Sequence, residues 1–310
     1  MSLATCLLLY SAAVISLGPP ALRVVTRSGR APRLGVATWL TTIAGVLATW
    51  LISPVLIVVD EVAHWSRQHS VIDSCLEVLS RVVAGWSGSA PRGLLLVGAG
   101  AVITVVVVLA ARLTRTVARL RTQARGHAHG IRLVGRPMER STFVVDADVC
   151  AAYCVAGKPS TIVVTSAAVS ALDHQEIQAV LAHEWAHVRG HHLEVTMLMR
   201  AVATVLPSLA LMRDGAQEVA RLLEMCADDA AARRFGRHAV LGGLLTLARA
   251  APAGGLSAAD VGVVSRAERL TSPPAGASGV DAAVAVTAAL VALAPLAAFT
   301  LAASGMLLCS

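Results

Sequence analysis

The chain has 310 residues, of which 56% are hydrophobic and 15% charged, with a net charge of +7 and a mean hydropathy of +0.69. Ordinary soluble domains are about 45–50% apolar and about 25% charged, so the composition excludes a disordered or collagen-like chain. It also argues against a soluble nucleic-acid-binding protein, and we expect no direct contact with nucleic acid. The apolar excess lies in long uncharged runs flanked by arginines, which favours a membrane protein.

Four uncharged stretches are long enough to span a bilayer core of about 30 Å, which takes about 20 residues. They are residues 2–22, 34–59, 93–111 and 282–310. No basic residue precedes the first stretch, so we interpret it as a span and not as a signal peptide. A fifth stretch, 196–212, contains Arg200 and Pro207 and fits a buried or interfacial helix better than a span.

The loops between these stretches predict their orientation. Arginines without acidic partners lie between the first two spans and directly after the third, whereas the charges of residues 60–92 are balanced. Arginine-rich loops stay on the cytoplasmic side. The sequence therefore predicts an N-terminal membrane domain (1–111) with an external loop (60–92), a cytoplasmic domain (112–281) and a C-terminal transmembrane helix (282–310), all in the cell membrane.

The cytoplasmic domain begins with short β-prone runs and continues with helices. The runs are 142–145, 151–155 and 161–165, with turn residues at 157–159. Asp173 followed by Glu176 forms a capping-box pattern, which predicts a helix from there to about Arg189. This order of elements favours an α+β domain. The six cysteines suggest no disulfide framework, and the pair Cys150/Cys154 lacks the second pair of a zinc ribbon.

Residues 183–187 read H-E-W-A-H, an H-E-x-x-H motif within that helix. Residues four apart share a helix face, so His183 and His187 can reach one metal ion. Zinc suits two imidazoles and a carboxylate and keeps a fourth position for water, whose pKa falls to about 7 when bound. Glu184 is placed to take the proton of that water and pass it to the leaving amine. The motif therefore predicts one zinc ion per chain, with Glu184 as the catalytic residue.

The third zinc ligand decides the subclass of peptidase. Position 193 is leucine, which excludes the H-E-x-x-H-x-x-G-x-x-H spacing of metzincins. Glu224 and Asp228, four apart on a second predicted helix, are better placed than the residues just after the motif, which are His191, His192 and Glu194. We expect Glu224 to complete the zinc shell and Asp228 to accept the outer N–H of a ligating histidine, His183.

The spans, the H-E-x-x-H motif and the later E-x-x-x-D together resemble the BlaR/MecR-type antirepressor metallopeptidase family of the gluzincin class. The matching residues are 154–159, 162–165, 177–187 and 224–228. The resemblance implies an α-helical membrane protein of about four transmembrane helices with an α+β gluzincin-type zinc domain. Sensors of this family carry an extracellular penicillin-binding domain after the last span; this sequence ends at Ser310, and we expect that domain to be lacking.

The expected function is a zinc endopeptidase at the inner face of the membrane. The resemblance implies a cytoplasmic substrate such as a BlaI-type winged-helix repressor, and thus a role in signal transduction and transcription regulation. Gluzincins bind substrate as an added β-strand, for which 151–155 and 161–165 are candidate edges. An oxyanion donor is also expected; His238 is the candidate, with Arg234 and Arg237 as alternatives.

Two other functions are compatible with the sequence. The His191-His192 pair is similar to HtpX-type membrane-protein quality-control proteases, which share these ligands. A non-catalytic membrane receptor or scaffold fits less well, because the set of His183, Glu184, His187 and Glu224 is intact. Beyond the lipid bilayer and a protein substrate, a homodimer is compatible with the predicted arrangement.

Overall fold

In this computed structural model, residues 3–68, 90–139, 141–249, 258–272 and 286 are described. The chain divides into two compact units. The first comprises Met1–Gly18, Thr41–Arg112 and Ala289–Ser310, and the second comprises Pro19–Leu40 and Leu113–Ala288. The second unit therefore includes residues 19–40, which the sequence groups with the membrane domain.

Three long helices carry the apolar N-terminal runs among the described residues. They are α1 (Leu3–Thr26), α2 (Pro32–Gln68) and α3 (Ala90–Val134). All three are long and apolar enough to cross a membrane, over Leu7–Thr26, Pro32–Val59 and Gly100–Val134. The valines of α3 that follow Gly100, such as Val105 and Val107, are exposed, as expected of side chains that face lipid. The predicted fourth span, 282–310, lies outside the described residues except for position 286.

The helix α3 differs from its prediction in length. The sequence predicts a span over 93–111 followed by an arginine-rich loop, but α3 continues through that segment to Val134. Residues 112–134 contain no proline and consist largely of good helix formers, so nothing in them ends the helix. Its last turns pack on the sheet, where Ala128 and Ile131 are buried with Val163.

The second unit contains a four-stranded sheet. Its strands are β1 (Arg136–Pro137), β2 (Thr142–Val145), β3 (Ala152–Val155) and β4 (Thr161–Thr165), in the spatial order β1-β2-β4-β3. The strand β4 pairs in parallel with β2 and antiparallel with β3. All five residues of β4 are buried. The expectation that 161–165 is a candidate edge is thus wrong, because β4 has a neighbour on both sides; of the two candidates, only β3 lies at an edge of the sheet, and β1 lies at the other edge.

The helices after the sheet are α4 (Ser166–Ala171), α5 (His174–Arg189), α6 (His192–Val205), α7 (Ala210–Phe235), α8 (Arg237–Arg249) and α9 (Ala258–Thr271). The capping box of α5 is confirmed: Asp173 Oδ1 accepts from the Glu176 backbone N–H at 2.7 Å, and Glu176 Oε2 accepts from the Asp173 N–H at 3.1 Å. Ile177 and Val180 of α5 are buried in one cluster with Ile162 and Val164 of β4. The sheet therefore fixes the position of α5.

The stretch 196–212 does not form one continuous helix. The helix α6 ends at Val205 and α7 begins at Ala210, with Pro207 between them. Fourteen residues of α6 extend about 21 Å, less than the roughly 30 Å of a bilayer core. Met199 and Val202 of α6 are buried within the second unit, which agrees with the interpretation of a buried helix.

The turn between α1 and α2 packs directly on α7 and α9. Arg221 of α7 donates to the carbonyl of Thr26 at 2.9 Å, and Arg269 of α9 donates to the carbonyl of Gly29 at 2.9 Å. An ion pair joins Arg23 and Asp214 at 2.8 Å. The first arginine-rich loop is therefore attached to the domain that carries the H-E-x-x-H motif.

Candidate active site

Two helices bring three donor side chains to one point. His183 and His187 come from α5, and Glu224 comes from α7. The Nε2 atoms of the two histidines are 3.1 Å apart. The carboxylate oxygens of Glu224 lie 3.3 Å from Nε2 of His183 and 3.4 Å from Nε2 of His187. These three residues form a group that could hold a metal ion.

The spacing of these donors fits zinc. Tetrahedral zinc bound at about 2.0–2.1 Å places its ligand atoms about 3.3 Å apart, and the three separations in this site are 3.1, 3.3 and 3.4 Å. Both imidazoles are buried, at 9% and 8% exposure. Two histidines and one carboxylate leave a fourth position for a reactant, as in catalytic and not structural zinc sites.

Each histidine has a partner for its other ring nitrogen. Nδ1 of His183 lies 3.0 Å from Oδ1 of Asp228, which is 1% exposed. Asp228 in this position orients the ring and leaves Nε2 directed at the donor group. Nδ1 of His187 lies 3.1 Å from Nδ1 of His192. One of these two nitrogens donates and the other accepts.

Hydrogen bonds between His183 and its neighbouring carboxylates shift the pKa values of the site residues. Burial opposes a charge on His183, but hydrogen bonds to Asp228 and Glu224 outweigh it and raise its pKa to about 9. Burial likewise acts against ionised Glu224, whose pKa is nevertheless held well below its usual value by hydrogen bonds from His183 and His187. Burial and the neighbouring His187 lower the pKa of His192 to about 4, so the His192 ring is neutral and one of its nitrogens can accept.

Arg266 of α9 is a site residue that the sequence does not reveal. Its Nη1 is 3.1 Å from Oε2 of Glu224, and its Nε and Nη2 each lie 2.7 Å from an oxygen of Asp228. Burial raises the pKa of the Asp228 carboxyl, but the bonds from Arg266 and His183 outweigh it and the pKa is lowered. The buried Asp228 implies a cation, but the sequence offers 25 arginines and no spacing rule that selects this one.

Glu184 and the edge strand share a cavity with the donor group. Glu184 is 8% exposed. The cavity, of about 270 Å³, is lined by His183, Glu184, Glu224, Arg266 and by Ala152 of β3, among others. The thiol of Cys154, on the same strand, hydrogen-bonds to Glu184; burial and that carboxylate raise its pKa, so it stays protonated.

The remaining predicted residues lie elsewhere. His238 is exposed at the start of α8 and does not line this cavity, so the structure does not place the expected oxyanion donor at the site. The buried residues of α8 are Ala239, Val240 and Gly243, which turns His238 outward. Among the described lining residues, Arg266 is the one arginine, and none is a lysine.

The other residues that were candidates for zinc ligands or oxyanion donors also lie outside the site. His191 and Glu194 are largely exposed, with side chains 78% and 50% accessible, and neither belongs to the donor group. Arg234 and Arg237, the alternative oxyanion donors, are exposed and line no part of the cavity. Cys150 and Cys154 are free cysteines.

Together, an H-E-x-x-H helix, a glutamate from a second helix and long apolar helices define a membrane-associated metallopeptidase. The sequence model described as Peptidase family M48 matches residues 114–305, well over half of the chain and all of the site residues. The chain belongs to Peptidase family M48. No curated protein and no solved structure matches it. The narrower BlaR/MecR-type assignment stays a prediction.

Proposed function

We propose that this protein is a zinc-dependent endopeptidase that cleaves a protein substrate at the cytoplasmic face of the cell membrane. The observation that carries the proposal is the convergence of His183, His187 and Glu224 to within 3.1–3.4 Å, with Glu184 and an edge strand around the same cavity.

Glu184 is the residue that moves the proton. Zinc, when bound, supplies the Lewis acidity that activates water and polarises the scissile carbonyl. The Glu184 carboxylate accepts a proton from the attacking water and later donates it to the leaving amine. Burial of Glu184 beside the donor group excludes competing water and strengthens its interactions with the reactants.

The edge strand β3 suits an extended peptide. Within the described sheet, β3 pairs with β4 on one side, and Ala152 at its start lines the zinc cavity. A peptide added antiparallel or parallel to the other side of β3 would form main-chain hydrogen bonds along its length and pass the catalytic group. Because such binding needs no free peptide terminus, it favours cleavage within a chain.

The packing of the α1–α2 turn supports a cytoplasmic site. The turn joins two apolar helices and contacts α7 and α9 through Arg221 and Arg269, so the turn and the zinc-binding domain lie on one side of the membrane. The turn region carries Arg23, Arg27 and Arg30 and no acid. The positive-inside rule assigns such a loop to the cytoplasm.

Two substrate classes fit this site. One is a single cytoplasmic regulator such as a BlaI-type winged-helix repressor, as the motif resemblance implies. The other is a range of misfolded membrane proteins, as for HtpX-type proteases. The attachment of the domain to the ends of the first two helices keeps the site near the membrane surface, which suits substrates that reach that surface.

The test of the peptidase uses the purified full chain in detergent micelles with a quenched fluorescent casein as substrate. We expect Glu184→Gln to abolish hydrolysis while the metal content stays near one zinc per chain, because Glu184 handles protons and does not ligate. Glu194→Gln, an exposed neighbour on α6, is the control and should keep full activity. Full activity in Glu184→Gln, or a wild-type chain that binds no zinc, would overturn the proposal.

The substrate class is tested separately. Membranes and cytosol of cells with the wild-type chain are compared with those carrying Glu184→Gln, and new protein N-termini are identified by mass spectrometry. One discrete regulatory substrate supports the repressor class. Many membrane-protein fragments support quality control.

A further inference from the structure

A second cavity lies on the face of α5 opposite the zinc-binding residues. Residues advance by about 100° along a helix, so Trp185 and Arg189 point away from His183 and His187. This cavity measures about 710 Å³ and is bounded by α2, α5, α6 and α7. We propose that it binds the headgroup of an anionic phospholipid of the cytoplasmic leaflet.

The charge of the cavity selects an anion. Arg33 of α2, Arg189 of α5 and Arg234 of α7 line it, whereas Glu139 is the single acid among the lining residues. In the part of the chain that the structure describes, none of the three arginines is paired with a carboxylate. Three guanidinium groups around one space provide the forked donors that bind phosphate oxygens.

Two of these arginines are held by aromatic rings. The guanidinium carbon of Arg189 lies 5.9 Å from the ring centre of Trp185, and that of Arg234 lies 5.3 Å from the ring of Phe235. Cation–π contacts orient the planar groups and leave their N–H donors available. An anion can therefore bind in this cavity without breaking an internal ion pair.

The position of the cavity favours a lipid over a free anion. Arg33 is the second residue of α2, and the uncharged stretch that follows it begins at residue 34. Val36, one turn further along α2, also lines the cavity, together with Leu181 and Val195. At the end of a span, the arginines can bind the phosphate group of a lipid. The apolar residues beside them can contact its glycerol and the start of its acyl chains. The cytoplasmic leaflet carries the anionic lipids.

The cavity also contacts the outer partner of a metal ligand. His192 lines it, and Nδ1 of His192 is 3.1 Å from Nδ1 of His187. A bound headgroup would therefore contact the residue that orients His187. We therefore expect the bound lipid to change the rate of hydrolysis. That effect rests on the proposed peptidase function, whereas the binding of the lipid does not depend on it.

The experiment measures lipid retention by the purified full chain. The chain is exchanged into mixed micelles that contain fluorescent phosphatidylglycerol or fluorescent phosphatidylcholine, and the bound lipid per chain is determined after gel filtration. The test variant is Arg189→Gln/Arg234→Gln. The matched control is Arg200→Gln/Arg237→Gln, which removes two exposed arginines of α6 and α8 that line no part of the cavity.

We expect the wild-type chain and the control to retain phosphatidylglycerol in preference to phosphatidylcholine. The test variant should bind phosphatidylglycerol roughly 10- to 30-fold more weakly, the effect of removing two arginines near an anionic surface, with unchanged zinc content. On the wild-type chain, a photoactivatable phosphatidylglycerol should crosslink to peptides that contain residues 178–189 or 223–235. This second measurement decides the outcome if the test variant fails to fold.

Four results would overturn the proposal. Equal retention of phosphatidylglycerol by test and control variants, or crosslinks confined to other segments, would show that the cavity is not a lipid site. Binding of inorganic phosphate and glycerol phosphate without retention of the lipid would identify a free phosphate site. Loss of binding of an acidic peptide in the test variant, with lipid retention unchanged, would identify a peptide-binding surface. A chain that retains the lipid but hydrolyses no protein would contradict the peptidase function alone.

Discussion

Arg266 forms a two-point ion pair with Asp228, with Nε and Nη2 each 2.7 Å from a carboxylate oxygen. Asp228 is 1% exposed, and its other partner is Nδ1 of His183. A carboxylate buried this deeply without a cation would be strongly destabilising. Arg266 therefore stabilises the anionic form of Asp228, through which α9 supports a metal ligand on α5.

The first prediction concerns this ion pair. Arg266→Met should weaken zinc binding by about 10–100-fold, because Asp228 then orients His183 less well. Chelator competition with the purified chain measures the affinity. Arg269→Met is the control from the same helix: Arg269 pairs with Asp229 at 2.7 Å and contacts Gly29, so its loss should lower thermal stability and leave zinc affinity near normal. Equal zinc loss in both variants would contradict a specific role of Arg266.

The second prediction separates the third ligand from its supporting carboxylate. Glu224→Ala should lose zinc on mild dialysis, since one of three protein donors is removed. Asp228→Ala should retain zinc more loosely, at about 10–100-fold lower affinity. Zinc content after dialysis, measured by atomic absorption, distinguishes them. If Glu224→Ala keeps its zinc and Asp228→Ala does not, the assignment of the third ligand is wrong.

The third prediction compares two adjacent histidines. From the sequence alone, neither His191→Ala nor His192→Ala is expected to matter for zinc. The structure changes this expectation for His192, because its ring nitrogen lies 3.1 Å from His187, whereas the His191 side chain is 78% exposed. We expect His192→Ala to weaken zinc binding by about tenfold or more and His191→Ala to leave it unchanged. Identical affinities in the two variants would show that His192 does not support His187.

The fourth prediction concerns the turn between α1 and α2. Gly29 has φ +57°, and a Cβ there would collide with Sδ of Met225. Gly29→Ala should therefore be destabilising by about 1–3 kcal/mol from backbone strain alone, seen as a lower midpoint of thermal unfolding in detergent.

The control for this prediction is Gly126→Ala. Gly126 lies on α3, where an added Cβ meets no atom within 4 Å. Replacing a helical glycine by alanine stabilises a helix by about 1 kcal/mol or less. A Gly29→Ala chain as stable as the Gly126→Ala chain would mean that the turn does not pack tightly on α7.

The fifth prediction concerns orientation, and it follows from the arginine distribution. Reporter fusions at Gly126 and Gly254 should report a cytoplasmic location, and a fusion at Ser70 should report an external one. Each position is tested with both an alkaline phosphatase and a fluorescent-protein reporter. The two reporters should give opposite results at each position, which provides the control. An external result at Gly126 would place the zinc-binding domain on the opposite side from any cytoplasmic substrate.

Several features could be predicted because they depend on residues close in the chain. The capping box of Asp173 and Glu176 and the shared face of His183 and His187 need only three- and four-residue spacings. The strands 142–145 and 161–165 and the apolar helices follow from local composition and periodicity. The pairing of Glu224 with the H-E-x-x-H helix was also accessible, since two carboxylates four apart on a helix fit one metal site.

The chemistry of the donors and the elements that carry them could therefore be predicted from local sequence. The packed fold was needed to show that β3 and not β4 is an edge strand, that Arg266 balances Glu224 and Asp228, and that His192 and not His191 contacts a ligand. Two of the contacts that build this unit join residues far apart in the chain: Arg266 and Asp228 by 38 residues, and Arg269 and Gly29 by 240. No local periodicity encodes such contacts. They arise when α5, α7 and α9 pack together and place Arg266 beside the buried carboxylate of Asp228 and the half-exposed one of Glu224.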